Sequence, residues 1–404
     1  MYSFQKEYDL TAHSPLIHFQ YDSSGATLRA TEVKPKLDRY ILKHCKDIPK
    51  EWIRDNVNGK ISLDYKLRII ATESKPPFNI GRGTPYDIYY GNMGDNAQIK
   101  KGVMNNAKLT VTCFHEDLLE YIDEIIGDFF IVTNFGTMQS KGFGSFTVNQ
   151  KQDNPNINNS YRHIVKALKS EYTKGGYCYT FRTNEQFAFK NIKTIYSLIK
   201  SGLNFTDGTE QGTEEDADSS TKIPYKRSIL FDYMHDLPNN IGNEKAWMKQ
   251  KGISPVLGRE KEQDDDISMY VRALLGIGER IEYLKEKPVK GRKVNKEIVS
   301  IEEQPDGKTK EEKNENKIER LNSPILFKLI DNVVYFIGCE PNENIYGKTF
   351  LFSSTLGKDT LSVPKKEDLP PNFMNQFMHY AFVKLGRCKN KPKFNLNRVE
   401  IEEV

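Results

Sequence analysis

Apolar residues recur along this chain at two spacings, and the switches between them outline its elements. Rough alternation in YSFQKEYDLTA (Tyr2 to Ala12) predicts an opening strand. In VKPKLDRYILKH (Val33 to His44) the helical spacing puts Leu37, Tyr40 and Ile41 on one face, with Pro35 in the first turn. ISLDYKLRIIA (Ile61 to Ala71) and AKLTVTCF (Ala107 to Phe114) read as strands. HEDLLEYIDEIIG (His115 to Gly127) reads as an amphipathic helix with acids in its first turn, and DFFIVTN after it as a strand.

That order, strand–helix–strand–strand–helix–strand, is the split βαβ pattern of a ferredoxin-like (RRM-like) domain over residues 1–150. A second round starts at GGYCYTFRT (Gly175 to Thr183) and the helix EQFAFKNIKTIYSLIKSG. It resumes with the hairpin SPILFKLIDNVVYFIGCE, turning at Asp331-Asn332, and the helix PPNFMNQFMHYAFVKLG, and closes on the strand LNRVEIEEV. The expected fold class is therefore α+β, with two ferredoxin-like domains at 1–150 and 170–404. Three interruptions are expected in the second: an acidic low-complexity tract, Thr206 to Lys222, read as disordered; a mainly helical insertion over about 225–286; and a charge-rich mobile loop, Lys296 to Asn322.

Composition narrows the class without choosing a partner. The 404 residues carry a net charge of only +4, from 59 basic and 55 acidic residues, so the placement of charge has to decide whether nucleic acid binds. Five scattered cysteines form no CxxC pair and no Cys/His cluster, which supports neither a disulfide framework nor a zinc site; no metal or cofactor is expected. MYSFQKEYDL is not a signal peptide and no apolar run approaches ~18 residues, so a reducing cytoplasm and no membrane contact are expected.

The candidate chemistry concentrates in FGTMQSKGFGSFTV (Phe135 to Val148). Glycine permits positive φ and exposes N–H groups to phosphate oxygens; Lys141 adds a charge, and Phe143 and Phe146 offer faces for bases. The same residues also describe a tight turn over buried phenylalanines. The stretch is no P-loop, since Lys141 precedes Gly142 and Phe143 follows it. It is no dinucleotide fingerprint either, because it leads into a strand.

Upstream, Lys36/Arg39 and Arg39/Lys43 share a helix face, with Arg29 in the preceding loop; such charges suit RNA or simply water. The loop from Ser74 to Asn96 interleaves Lys75 and Arg82 with Phe78, Tyr86, Tyr89 and Tyr90, which suits unstacked bases or packing on its own domain. For catalysis, His18 with Lys141 offers a general base and a cation for a metal-independent RNase, against the reading that His13 and His18 are ordinary strand-end residues. The DDD run (Asp264 to Asp266) reads as solvated.

FGTMQSKGFGSF resembles the glycine-rich loop of the RAMP superfamily, the ferredoxin-like RNA-binding proteins of CRISPR systems. Ser140, Lys141, Gly142 and Gly144 fall in register with its [ST]-[RK]-G-x-G form, whereas Phe135 stands where a glycine is common. HSPLIHFQYDSSGATLRATEVKPKLDRYILK (His13 to Lys43) resembles that family's strand-end phrase, glycine loop and basic helix, with Arg29, Lys34, Lys36 and Arg39 near the basic positions and Pro35 where glycine is frequent. RLNSPILFKLI (Arg320 to Ile330) is similar to a second-domain strand. Together they look most like the first subunit of type III-B Cmr effector complexes.

The resemblance implies a non-catalytic subunit that binds single-stranded guide or target RNA alongside other Cmr-type subunits and helps capture target RNA in antiviral defence. It implies an RNA site of Arg29, Lys34, Lys36, Arg39, Lys141, Gly142, Phe143 and Gly144, with Phe143 open to being core. The alternative is an endoribonuclease that processes the CRISPR precursor transcript, and a third reading is a subunit that contacts only protein. The acidic tract near Glu214 is a candidate mask for the basic groove.

Overall fold

In the computed structural model the described residues are 4–18, 23, 25–57, 59–81, 83–87, 100–150, 154–173, 176–204, 225–255, 267–285, 295–304, 323–388 and 402–403. They form a mixed α/β fold with seven α-helices and several antiparallel sheets. The acidic tract, the DDD run, Arg82, Tyr89 and Tyr90 lie outside the described residues.

The first sheet contains β1 (Gln5–Ala12), β2 (Lys66–Ala71), β3 (Ala107–Thr112) and β4 (Phe146–Val148) in the spatial order β2-β3-β1-β4, antiparallel throughout. Helices α1 (Ala30–His44) and α2 (Glu116–Val132) connect β1 to β2 and β3 to β4. Alternation sorts the strands: Tyr8, Leu10, Leu109 and Val111 enter one core with Leu37 and Ile41 of α1 and Ile122 and Ile126 of α2. The opposite face carries Gln5, Glu7, Arg68, Lys108, Thr110 and Thr112, with no helix packed over it among the described residues.

The second sheet has β5 (Cys178–Arg182), β6 (Ile325–Ile330), β7 (Val333–Gly338) and β8 (Glu402–Glu403) in the order β6-β7-β5-β8. Between β5 and β6 comes α4 (Glu185–Lys200), capped at its start by Asn184 accepting from the Phe187 amide. Between β7 and β8 comes α7 (Phe373–Cys388). One face of this sheet sends Tyr179, Phe181, Phe327, Val334 and Phe336 into the core under α4 and α7. The other face, with Cys178, Ile330, Val333, Tyr335 and Ile337, is covered by α3 (Tyr161–Tyr172) and the end of α2.

Several expectations change. DFFIVTN continues α2 instead of forming a strand, because Phe129, Phe130, Ile131 and Val132 are buried on every side, between the first core and α3. Ile61 to Ala71 splits into two strands, Lys60–Leu63 and Lys66–Ala71, with Tyr65 buried at the break. Helix α1 begins at Ala30, so Pro35 sits inside it.

Lys296–Glu303, expected in a mobile loop, is a strand, with Glu297, Val299 and Ile301 facing inward. It pairs with Arg280–Leu284 and Thr349–Ser353, and Lys358–Ser362 completes a third four-stranded sheet. The insertion is only partly helical: α5 (Ile229–His235) and α6 (Glu244–Gln250) join a 3-10 turn at Val271–Leu275 and short strands.

Candidate functional site

Three stretches far apart in sequence meet around the glycine-rich segment. On its first side runs the chain after β1. His13 N–H donates to Ser145 O (2.9 Å), Gly144 N–H to Pro15 O (2.8 Å) and Thr137 N–H to Ile17 O (3.0 Å), and Ser14 Oγ accepts from the Ser145 amide (2.8 Å). On its second side runs β6. Phe327 N–H donates to Ser140 O (3.1 Å), Asn134 Nδ2 donates to Phe327 O (2.9 Å) and Ser145 Oγ donates to Leu329 O (2.6 Å).

β6 is an edge strand, and these bonds occupy the polar row that an edge would otherwise present to another chain. From β6, Lys328 reaches back: its buried Nζ donates to Phe130 O and Thr133 O (both 2.8 Å) and approaches Phe146 O (3.4 Å). Two of those acceptors sit at the C-terminal end of α2, where carbonyls lack partners within the helix. The segment is a clasp between the two units.

The glycines answer to that clasp. Gly144 has φ +67° and returns its own carbonyl to Phe135 N–H (2.9 Å); a Cβ there would stand 1.9 Å from Phe135 O. Gly142, at φ +84°, is also buried. Phe143 is 0% exposed with its ring 4.3 Å from that of Phe189, and Phe146 is equally internal. The expected RNA contacts at Gly142, Phe143 and Gly144 therefore meet a correction: these residues face inward, so in this conformation no face of Phe143 is open to a base.

The basic residues divide into buried and exposed. Lys34 donates to the buried Asp38 carboxylate (2.9 Å) and Leu63 O (2.9 Å), with its Nζ 4.2 Å from the Tyr65 ring centre. Lys36 donates to Glu32 (3.0 Å), Asn134 O (2.8 Å) and Gln139 (3.0 Å); burial lowers its proton affinity. Glu32 in turn accepts from the Gly136 amide (2.7 Å), so α1 braces the clasp.

Lys141 Nζ is buried over the Tyr196 ring, 2.6 Å from its centre, with no hydrogen-bond acceptor among the described residues. Burial holds its pKa well below the ordinary lysine value. Arg29 is the N-cap residue of α1, partly exposed and close enough for its charge to lower the proton affinity of His18, after desolvation. Arg39 is exposed, donating from Nε to Pro35 O.

One basic feature escaped the sequence reading. Helix α3, at residues where no element was expected, carries Arg162, Lys166 and Lys169 at i, i+4 and i+7, the first two exposed. Lys43 of α1 is tied to Glu171 of α3 (2.7 Å), which links the two helices near their ends. The signal was available in YRHIVKALKSEY, whose apolar residues recur at helical spacing.

His13, the other histidine considered, bonds Thr147 Oγ1 (2.7 Å) and the Asp331 carboxylate at the β6–β7 turn (3.2 Å), a further link between units. Among the described residues no group of three or more His, Cys, Asp or Glu side chains is placed to hold a metal ion, and no helix is long and apolar enough to cross a membrane.

Comparison with known families divides the chain in two. The Cmr1 N-terminal domain matches residues 3–203 and the Cmr1 C-terminal domain matches 225–401. No curated protein matches. With both models together spanning nearly the whole length, and with the three RAMP-like stretches meeting in one place, the chain belongs to the Cmr1 family of type III-B CRISPR RAMP proteins.

Proposed function

We propose that this Cmr-type subunit is a non-catalytic RNA-binding protein that holds single-stranded guide or target RNA and helps capture target RNA. Family membership carries the reading. The strand orders support the two-unit architecture expected of it: in each main sheet the second strand lies at one edge and the fourth at the other, with helices after the first and third, as in a ferredoxin-like domain.

The phosphate contacts fall on exposed cations: Arg39 and Lys43 on α1, Arg162 and Lys166 on α3, with Arg29 at the start of α1. Lys34, Lys36 and the clasp glycines hold this surface in place. Single strands bind such a surface through their backbones, with little dependence on sequence.

The test is fluorescence anisotropy with a labelled single-stranded RNA over a salt series, with a denaturing gel of the same samples in EDTA. Binding of intact RNA is expected, with log K falling by about 0.7 per phosphate contact for each decade of salt. Arg39→Gln combined with Lys166→Gln reduces that slope by about two contacts' worth. Cleaved RNA in EDTA would replace this reading with a metal-independent endoribonuclease, His18 being the first residue to change. No binding at all would leave a subunit that contacts only protein.

A further inference from the structure

The second sheet shows how this topology takes a neighbour. Its edge strand β6 has six residues, of which Leu326, Lys328 and Ile330 point to the back face. Along that edge lies the clasp of the first unit, with Phe327 N–H bonded to Ser140 O (3.1 Å). From the middle back-face position Lys328 donates to Phe130 O and Thr133 O (both 2.8 Å), at the C-terminal end of α2. An edge strand, a back-face cation and a helix C-terminus thus make the contact.

The first sheet has the same receiving features, uncovered. β2 is also a six-residue edge strand, with no strand paired beyond it among the described residues. Its back-face positions are Lys66, Arg68 and Ile70, so Arg68 stands in the middle, where β6 has Lys328. Lys328 is 1% exposed, whereas Arg68 is exposed and no described residue bonds its guanidinium. Ile70 is 49% exposed, and even Leu67 and Ile69 on the core side are only half-buried, so the edge is open. Arg68 and Ile70 line a groove of about 500 Å³ with Glu7, Lys108, Thr110 and Thr112.

The lining distinguishes among occupants. Single-stranded RNA on a four-stranded sheet of this kind stacks its bases on aromatic rings. Here the central strands β1 and β3 present Glu7, Thr110 and Thr112, no aromatic residue lines the groove, and Glu7 repels phosphate. Edge-to-edge pairing of two copies centred on Arg68 would set like charges opposite each other. A protein partner fits better. The groove holds a half-exposed ion pair, Glu7–Lys108 (3.4 Å), and interfaces between separately folded chains are about as polar as the rest of a surface.

We infer that the β2 edge and this groove are the docking surface for a neighbouring subunit of the same build. That neighbour lays its glycine-rich segment along β2, as Phe135–Ser145 lies along β6, and offers the C-terminal carbonyls of a helix to Arg68. Those carbonyls lack partners within their helix, and a cation there also meets the negative end of the dipole. Ile70 supplies the apolar contact beside them. The neighbour follows from membership of the Cmr1 family and its complex, independently of RNA binding. Helix α1 packs on the other face of the first sheet, so the groove and the cations Arg39 and Lys43 lie on opposite sides of it.

The test is hydrogen exchange, read by mass spectrometry, on the full-length chain alone and in a complex reconstituted from the remaining purified Cmr-type subunits and a guide RNA. The outward amides of Lys66–Ala71 should exchange at least about tenfold more slowly in the complex, as an edge does once paired, and no more slowly with RNA alone. Arg68→Glu with Ile70→Glu should weaken assembly at least about tenfold, with wild-type circular dichroism and unchanged RNA binding by the free chain. Arg68→Lys, which keeps the cation, should assemble nearly as wild type.

Unchanged exchange at β2 on assembly, a double variant that assembles normally, or a wild-type chain that enters no complex would each overturn the assignment. So would protection by RNA alone, which would give the groove to RNA, or protection that grows with the concentration of the free chain, which would give it to a second copy. Should the double variant misfold, exchange in the wild-type chain decides. A chain that assembles through β2 yet binds no RNA would remove the RNA-binding reading and leave this surface in place.

Discussion

The two main sheets share a strand order and differ in what covers their backs. Behind the second sheet lie apolar side chains, Ile330, Val333, Tyr335 and Ile337, under α3 and the end of α2. Behind the first lie Gln5, Glu7, Arg68, Lys108, Thr110 and Thr112, facing water. The edges differ in the same sense, because β6 is sealed by the clasp whereas β2, at the edge of the first sheet, has no strand paired beyond it among the described residues. One topology thus serves as a self-sufficient half in the first case and as a dependent half in the second, leaning on its neighbour for both a face and an edge.

The strongest way to break that dependence is at Gly144. Alanine there meets Phe135 O and is held at positive φ, so Gly144→Ala should destabilise by about 3 kcal/mol or more in denaturant unfolding. Leu168→Ala, which opens a void beneath α3 behind the second sheet, should cost about 2–4 kcal/mol, while Thr110→Ala behind the first sheet should stay within about 0.5. Equal losses at the two positions would erase the comparison.

Lys328→Met should cost about 1–3 kcal/mol, since it strips the α2 carbonyls of their donor, whereas Lys141→Met removes no hydrogen bond and should be nearly neutral or mildly stabilising. A smaller effect sharpens the picture through pH. Burial depresses the pKa values of Lys141, Lys200, Lys245 and Lys328 in the folded chain below their unfolded value of 10.5. Between the folded and unfolded values the unfolded chain binds more protons, so these lysines make stability rise with pH. For Lys200 and Lys245 that window runs from about 7 to 10.5. The unfolding midpoint measured at pH 7, 8 and 9 should therefore contain a rising component, and it should be smaller in Lys141→Met.

Much of this was legible in the residues. The β6–β7 hairpin announced itself by Asp331-Asn332, and both sit at positive φ as its tight turn requires. The RAMP-like stretches were each legible in the sequence, and the structure brings them together. What periodicity could not reveal is direction. DFFIVTN is apolar throughout, so no period separates a strand from a helix buried on all sides. KEIVSIEE alternates correctly, but its charges hid the alternation, because Glu297 faces inward to bond Thr355 and Lys285. Lys141 looked like a surface cation because nothing local in the sequence tells that Tyr196, 55 residues on, provides its seat. Glycine near lysine signals a close backbone approach, without saying whether RNA or the chain's own β6 does the approaching.

Native-state hydrogen exchange of the Phe327 amide tests the clasp most directly. Bonded to Ser140 O from the sealed edge of β6, that amide should exchange as slowly as the amides at the centre of the second sheet, opening only with the whole fold. Exchange as fast as at an open strand edge would mean that the glycine-rich segment does not close on the second sheet, and that its backbone is free for another chain.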